Sequence, residues 1–222
     1  METIAQRYAR LRALVPSHVR IVAVTKFQPL ESVIEAVEAG VSDVGENYVQ
    51  EARRKYDANG LPKPVTKHFI GHIQTNKAKA IAATFDAVQS VDRPEAAEAL
   101  AKAAESLGKR LPVLLQVNIS PSERYGCLPD QAERLAEAIR ARTSLRLDGV
   151  MAIGPITKDR TEMARAFQLA AEAFARVGGD TFSIGMSGDW EEAVRAGSTM
   201  IRVGTTIFGP RPARPVSKNA VM

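Results

Sequence analysis

The chain has 222 residues, 45% of them hydrophobic and 25% charged, with a formal charge of +5, which suits one substantial core and excludes neither an α/β barrel nor an open sheet. No apolar run approaches the roughly 18 residues that cross a bilayer, so a soluble protein with no membrane partner is expected. The single cysteine, Cys127, excludes an internal disulfide and a cysteine-based metal site, and only 5% of residues are aromatic, so no nucleic-acid stacking platform is expected.

The amino terminus, METIAQRYARLRALV, alternates arginine with apolar residues at helical spacing and lacks an apolar segment followed by a cleavage site. It predicts a cytoplasmic helix ahead of the main fold. Short apolar, β-branched runs then recur at 19–25, 41–45, 67–71, 86–91, 112–118, 145–152, 181–186 and 200–204. Between them lie amphipathic stretches such as LESVIEAVEAG, RPEAAEALAKAAESLG, PDQAERLAEAIRA, TEMARAFQLAAEAFARV and DWEEAVRAG, several closing on glycine as helices do. Alternation of strand and helix requires a parallel sheet, because parallel neighbours need crossovers. Eight units predict a single-domain α/β fold, a (β/α)8 TIM barrel, with the amino-terminal helix as an addition. An open doubly wound sheet is the alternative, disfavoured because no strand leads into GxGxxG or a Walker loop. The barrel domain is placed at residues 1–211, and the Pro-rich, basic residues 212–222 are expected to form a flexible carboxyl-terminal tail.

A barrel carries its chemistry at the carboxyl ends of its strands. Those ends bring Lys26, Glu46 with Asn47, His72, Asp92, Asn118, Met151, Ser187, and Gly204 with Thr205 to one face. In SIGMSGDWEEAV a strand ends in a Gly- and Ser-bearing turn, and in IRVGTTIFG a second strand ends on Gly204, so both could cradle a phosphate. Each has a plainer reading as well, with Ser187 or Asp189 capping a helix and Gly204 making a turn. Closing the barrel sets strand one beside strand eight. Lys26 then lies near this cradle, suited to forming an imine with a carbonyl ligand. On the residues alone the ligand is a sugar phosphate, as in Schiff-base aldolases, or pyridoxal 5′-phosphate (PLP). Arg202, two residues before Gly204, shares its side of the strand and points toward the mouth. His68 and His72 lie four apart on a strand run, roughly 13 Å from each other, so no metal site is expected; His18 is read as a loop residue.

The motifs AVTKFQP, GENYVQE, HFIGHIQTNKAK, SVDRPEAAEAL, MAIGP and FSIGMSGDWEEAVRAGSTMIRVGTTIFGPR together resemble the pyridoxal-phosphate homeostasis protein family, from about Val22 to Arg211. That family is similar to the barrel domain of alanine racemases, the fold-type III class of PLP proteins. The resemblance implies PLP held by Lys26 as an internal aldimine, its phosphate held by Ser187, Gly204 and Thr205, Arg202 facing the pyridine nitrogen, and Asn47 lining the ring side. A guanidinium accepts no proton, so it keeps that nitrogen neutral and restrains carbanion chemistry. None of Tyr8, Tyr48, Tyr56 and Tyr125 has an evident racemase role. The implied work is cytoplasmic buffering or delivery of PLP by a monomer, with PLP-requiring apoenzymes as recipients and no catalytic residue assigned. A single-domain amino-acid racemase is the rival.

Overall fold

The computed structural model describes residues 2–56, 60–120 and 125–210. The expected tail lies outside these residues.

Helix α1 (Ile4–Leu14) begins at Thr3, whose hydroxyl accepts from the Gln6 N–H while the Gln6 side chain accepts from the Thr3 N–H. This reciprocal cap satisfies two donors that a helix start otherwise exposes. Eight strands follow: β1 (Arg20–Val24), β2 (Asp43–Glu46), β3 (Thr66–Phe69), β4 (Ala87–Val91), β5 (Leu111–Asn118), β6 (Leu145–Ile153), β7 (Thr181–Ser183) and β8 (Met200–Val203). They alternate with α2 (Leu30–Glu38), α3 (Val49–Tyr56), α4 (Ala78–Thr84), α5 (Pro94–Ser106), α6 (Ala132–Arg140), α7 (Arg160–Val177), α8 (Trp190–Arg195) and α9 (Thr205–Phe208). Short 3-10 turns at Thr75–Lys77 and Pro129–Gln131 lead into α4 and α6.

All strands are parallel and the sheet closes, β1 pairing with both β2 and β8. Val22 stands opposite Asp43 on one side and Arg202 on the other. The predicted barrel is therefore the observed one. Its outer ring has a weak place, since α9 is a single turn; α1 packs against α9 and α2 and covers that gap. Arg7 Nε donates to the Ile207 carbonyl at 2.6 Å, and Ile4, Tyr8 and Leu11 bury the apolar stripe of α1. The sequence periodicity had no use for this helix within an eight-unit count. The packing supplies one.

The strands fall within a few residues of the expected runs, and two of the shifts have a plain cause. Val41 and Ser42 precede β2 because the Val41 N–H still closes on the Ala36 carbonyl at the end of α2. β7 stops at Ser183, three residues early, because Gly185 adopts φ 95° and turns the chain out of the ladder. That early stop leaves β7 with a single registered pair to β8, Ser183 opposite Met200.

Candidate functional site at the carboxyl face of the barrel

Lys26, Asn47, Ser187, Arg202, Gly204 and Thr205 all line one cavity of about 250 Å³ at the carboxyl ends of the strands. Its remaining walls are mostly apolar, including Val24, Ile70, Met151 and Ile153. Lys26 arrives from the end of β1, Asn47 from β2, Ser187 from the turn after β7, and the last three from β8 and its exit. Residues spread over 180 positions of sequence meet because the barrel closes there.

The turn after β7 meets the exit of β8 through one hydroxyl. Ser187 Oγ accepts from the Gly204 N–H at 3.1 Å and from the Thr206 N–H at 3.4 Å. Neither Ser187 nor Asp189 caps α8: Asp189 stands at the N-cap without a side-chain cap bond and instead accepts from the Met186 N–H. The two loops therefore converge backbone donors on one point, with the Thr205 side chain adjacent. Thr206 was not legible as a contributor, because only its main chain takes part. Gly188 also lines the cavity, and a Cβ there would meet no protein atom within 4 Å.

Arg202 is 4% exposed. Its Nη1 donates to the Ser183 carbonyl at 2.7 Å and to Ser183 Oγ at 2.6 Å, and its Nη2 donates to the Ala152 carbonyl at 2.8 Å. Burial lowers its pKa to about 10, with the Asp189 charge opposing, so it stays cationic at neutral pH. It lines the cavity at the barrel mouth. Backbone carbonyls and Ser183 satisfy it.

From Arg202 a line of side chains runs inward. Ser183 Oγ donates to Gln89 Oε1 at 2.8 Å, Gln89 Nε2 donates to His68 Nδ1 at 3.0 Å, and His68 Nε2 donates to Asp43 Oδ1 at 2.9 Å. The other Gln89 amide hydrogen goes to Met200 Sδ. Arg20 closes the line on Asp43 at the opposite mouth. A cavity of similar size opens there, lined by Arg20, His68, Gln89 and Arg146 among others. Both of its arginines are paired, Arg20 with Asp43 and Arg146 with Asp148. The carboxyl-face cavity, with its amine, guanidinium and convergent N–H groups, is the chemically equipped one.

Asp43 sets a pH dependence. Burial would raise its carboxyl, but hydrogen bonds from His68 and Ser42 and the Arg20 charge outweigh burial and hold it below the ordinary value. A depressed folded pKa contributes stability that is complete above the unfolded value of about 4 and is lost as pH falls through the folded one. Urea midpoints measured from neutral to acid pH should therefore fall less steeply below about pH 4 in Asp43→Asn than in the wild type; parallel curves would contradict it.

His68 and His72 part company as the strand spacing required. His68 belongs to the interior line, while His72 stacks on Tyr125 at 3.7 Å between ring centroids and lies 3.7 Å from Asp92. Burial lowers the His72 pKa, with Asp92 opposing. Among the described residues no group of three or more His, Cys, Asp or Glu could hold a metal ion, and no helix is long and apolar enough to cross a membrane. Asn118 accepts from the Ser120 N–H at 3.0 Å, a local turn. Asn47 Oδ1 is buried in the cavity wall with no hydrogen-bond partner.

The arrangement offers donors for an anion at the β7–β8 end and an amine for a carbonyl carbon at the β1 end, within one partly apolar chamber. A family model described as the N-terminal domain of alanine racemase matches residues 1–212. A pyridoxal phosphate homeostasis protein of Pseudomonas aeruginosa is 40% identical over 224 residues, covering 95% of this chain and 97% of that protein. One from Vibrio cholerae is 38% identical over 222 residues, covering 95% and 92%. The solved structure of PipY from Synechococcus elongatus with PLP bound has a TM-score of 0.87 at 34% identity, covering 93% of this chain and 100% of that one. Alanine racemase of Clostridium difficile, at 16% identity and a TM-score of 0.78, shares the fold over 98% of this chain and 59% of its own.

Proposed function

Since the chain belongs to the pyridoxal phosphate homeostasis protein family, we propose that it binds PLP and serves intracellular PLP homeostasis, buffering or delivering the cofactor without robust turnover. Lys26 holds PLP as a Schiff base. Ser187, Thr205 and the N–H groups of Gly204 and Thr206 take the phosphate, Arg202 faces the pyridine nitrogen, and Asn47 lines the ring side. PLP supplies an aldehyde to an amine and a ring that can delocalise negative charge. The protein's residues do the rest. Ser187 and the two N–H groups fix the anion, the apolar wall excludes water, and the guanidinium, which has no acceptor lone pair, leaves the ring nitrogen without a proton. The cytoplasm is the proposed site of action, a monomer the proposed form, and PLP-requiring apoenzymes the proposed recipients.

The observation that supports this reading most directly is the sharing of one cavity by Lys26 and the Ser187–Gly204–Thr206 convergence. Incubation with PLP followed by borohydride reduction and peptide mass mapping is expected to place a phosphopyridoxyl group on Lys26. Lys26→Ala should lose both that adduct and the visible absorbance band. An adduct on another residue, or an unchanged band in Lys26→Ala, would refute the assignment, and sustained isomerisation of an amino acid dependent on Lys26 would replace homeostasis by racemisation.

A further inference from the structure

Directly behind Lys26 lies a charged cluster that the cavity does not include. Glu46, at the end of β2, is 0% exposed; Lys55 and Tyr56, on the last turn of α3, are 8% and 7% exposed. Lys55 Nζ donates to Glu46 Oε1 at 2.6 Å, to Glu51 Oε1 at 3.1 Å and to the Thr25 carbonyl at 2.7 Å, which uses all three hydrogens of an ammonium. The hydroxyls of Thr25 and Tyr56 lie 2.7 and 3.0 Å from the same Glu46 oxygen. Glu51 Oε1 has a second donor, the Phe27 N–H at 2.5 Å.

These contacts bracket one residue. The Thr25 carbonyl precedes Lys26 and the Phe27 N–H follows it, and both end on the Glu46–Lys55–Glu51 ions. Phe27 has φ 64°, the single positive value among the described non-glycine residues. A bulky side chain in that region is a strained arrangement, and it persists only where the surroundings over-determine it. The surroundings here are charged, although a buried ion cluster is often no more stable than apolar residues of the same volume. Apolar packing would fill the same space, but it would supply neither the cation for the Thr25 carbonyl nor the carboxylate for the Phe27 N–H.

We propose that Glu46, Glu51 and Lys55 are positioning residues for Lys26, clamping the peptide groups on either side of it so that its amine is presented to the aldehyde end of the cavity. The proposal rests on the reading that Lys26 binds PLP. The step it assists is a condensation: the lysine nitrogen bonds to the aldehyde carbon, the amine gives up two hydrogens, and the aldehyde oxygen leaves with them as water while the C=N bond forms. The cluster touches neither reacting atom. It acts through the backbone.

The test compares two ligands on the full chain. Pyridoxine 5′-phosphate carries the same ring and phosphate with an alcohol in place of the aldehyde, so it reports the pocket without the imine. Glu51→Ala should bind it with unchanged affinity while forming the Lys26 imine with PLP roughly 10- to 100-fold more slowly, the scale of penalty for a reacting group misplaced by about 1 Å. Glu51→Gln, which keeps an oxygen for the Phe27 N–H and the Lys55 ammonium, should restore the wild-type rate. Lys55→Met should show the larger defect, and if it does not fold, the Glu51 pair decides alone. Imine formation at the wild-type rate in Glu51→Ala overturns the clamp, as does an equal loss for both ligands. Absence of any Lys26 adduct in the wild type would instead overturn the PLP reading beneath it.

Discussion

Arg202→Met is expected to lower the free energy of unfolding by roughly 2–4 kcal/mol, because it strips donors from two buried carbonyls at about 1–3 kcal/mol for each group left unsatisfied, less the desolvation that methionine avoids, while the Ser183 hydroxyl keeps its bond to Gln89. The location makes the loss structural as well as local. β7 has only three residues and one registered pair to β8, so above Ser183 the seam is held by the bond from the Arg202 N–H to the Gly185 carbonyl at 2.9 Å, by the Ser198 hydroxyl on the Ile184 carbonyl at 2.8 Å and by the guanidinium. Its side chain reaches Ser183 on β7 and Ala152 on β6, tying three strands where the ladder has thinned. For a chain of this size the expected fall in Tm is on the order of 5–15 °C, readable by calorimetry and urea unfolding. Arg202→Lys keeps a cation but not the planar fork that spans two strands, so it should recover only part of the loss. Unfolding curves of Arg202→Met and wild type that coincide would show that the carbonyls find other partners. On the proposed function, Arg202→Met also removes the cation opposite the ring nitrogen and should weaken PLP binding beyond the effect on stability.

The architecture was legible because the strands announce themselves by β-branched runs and the helices by three- and four-residue spacing, and because only a parallel sheet reconciles the two. The six cavity residues were legible for a related reason: topology assigns strand ends to one face, whatever the side chains do. The interior line was not. His68 in KHF and Gln89 in AVQSV read locally as the polar members of alternating strands, which in an open sheet would face solvent. In a closed barrel one of the two strand faces looks inward, and the inward positions of β2, β3, β4, β7 and β8 are matched to one another across the axis. No local pattern encodes that matching. The clamp behind Lys26 was hidden similarly, since EARRKY reads as an exposed helical face whereas Lys55 and Tyr56 are turned onto β1 and β2. Charge patterns in a sequence assume water on the polar side. Both failures occur where that side is protein.

Gly71→Ala is expected to damage fold and cavity together. A Cβ at Gly71 would fall 2.1 Å from the Asn47 carbonyl oxygen and 2.9 Å from Asn47 Cα, contacts that only a backbone displacement can relieve. The neighbouring Ile70 N–H donates to the Glu46 carbonyl at 2.9 Å, so the displaced segment is the one joining β2 to its exit. A clash of this kind in a packed interior typically costs about 1–3 kcal/mol, and here the atoms pushed are main chain rather than a side chain able to rotate away. Asn47 would move with them, and with it the part of the cavity wall that it forms. The informative comparison is Gly188→Ala, also on the cavity, where an added Cβ meets nothing within 4 Å. Gly188→Ala should unfold at the wild-type urea concentration and, on the proposed function, affect only ligand binding. Gly71→Ala should lose stability and pyridoxine 5′-phosphate affinity alike. If both variants unfold with the wild type, the close approach of Gly71 to Asn47 is not what holds the β2 exit, and the cavity wall is softer than its backbone contacts imply.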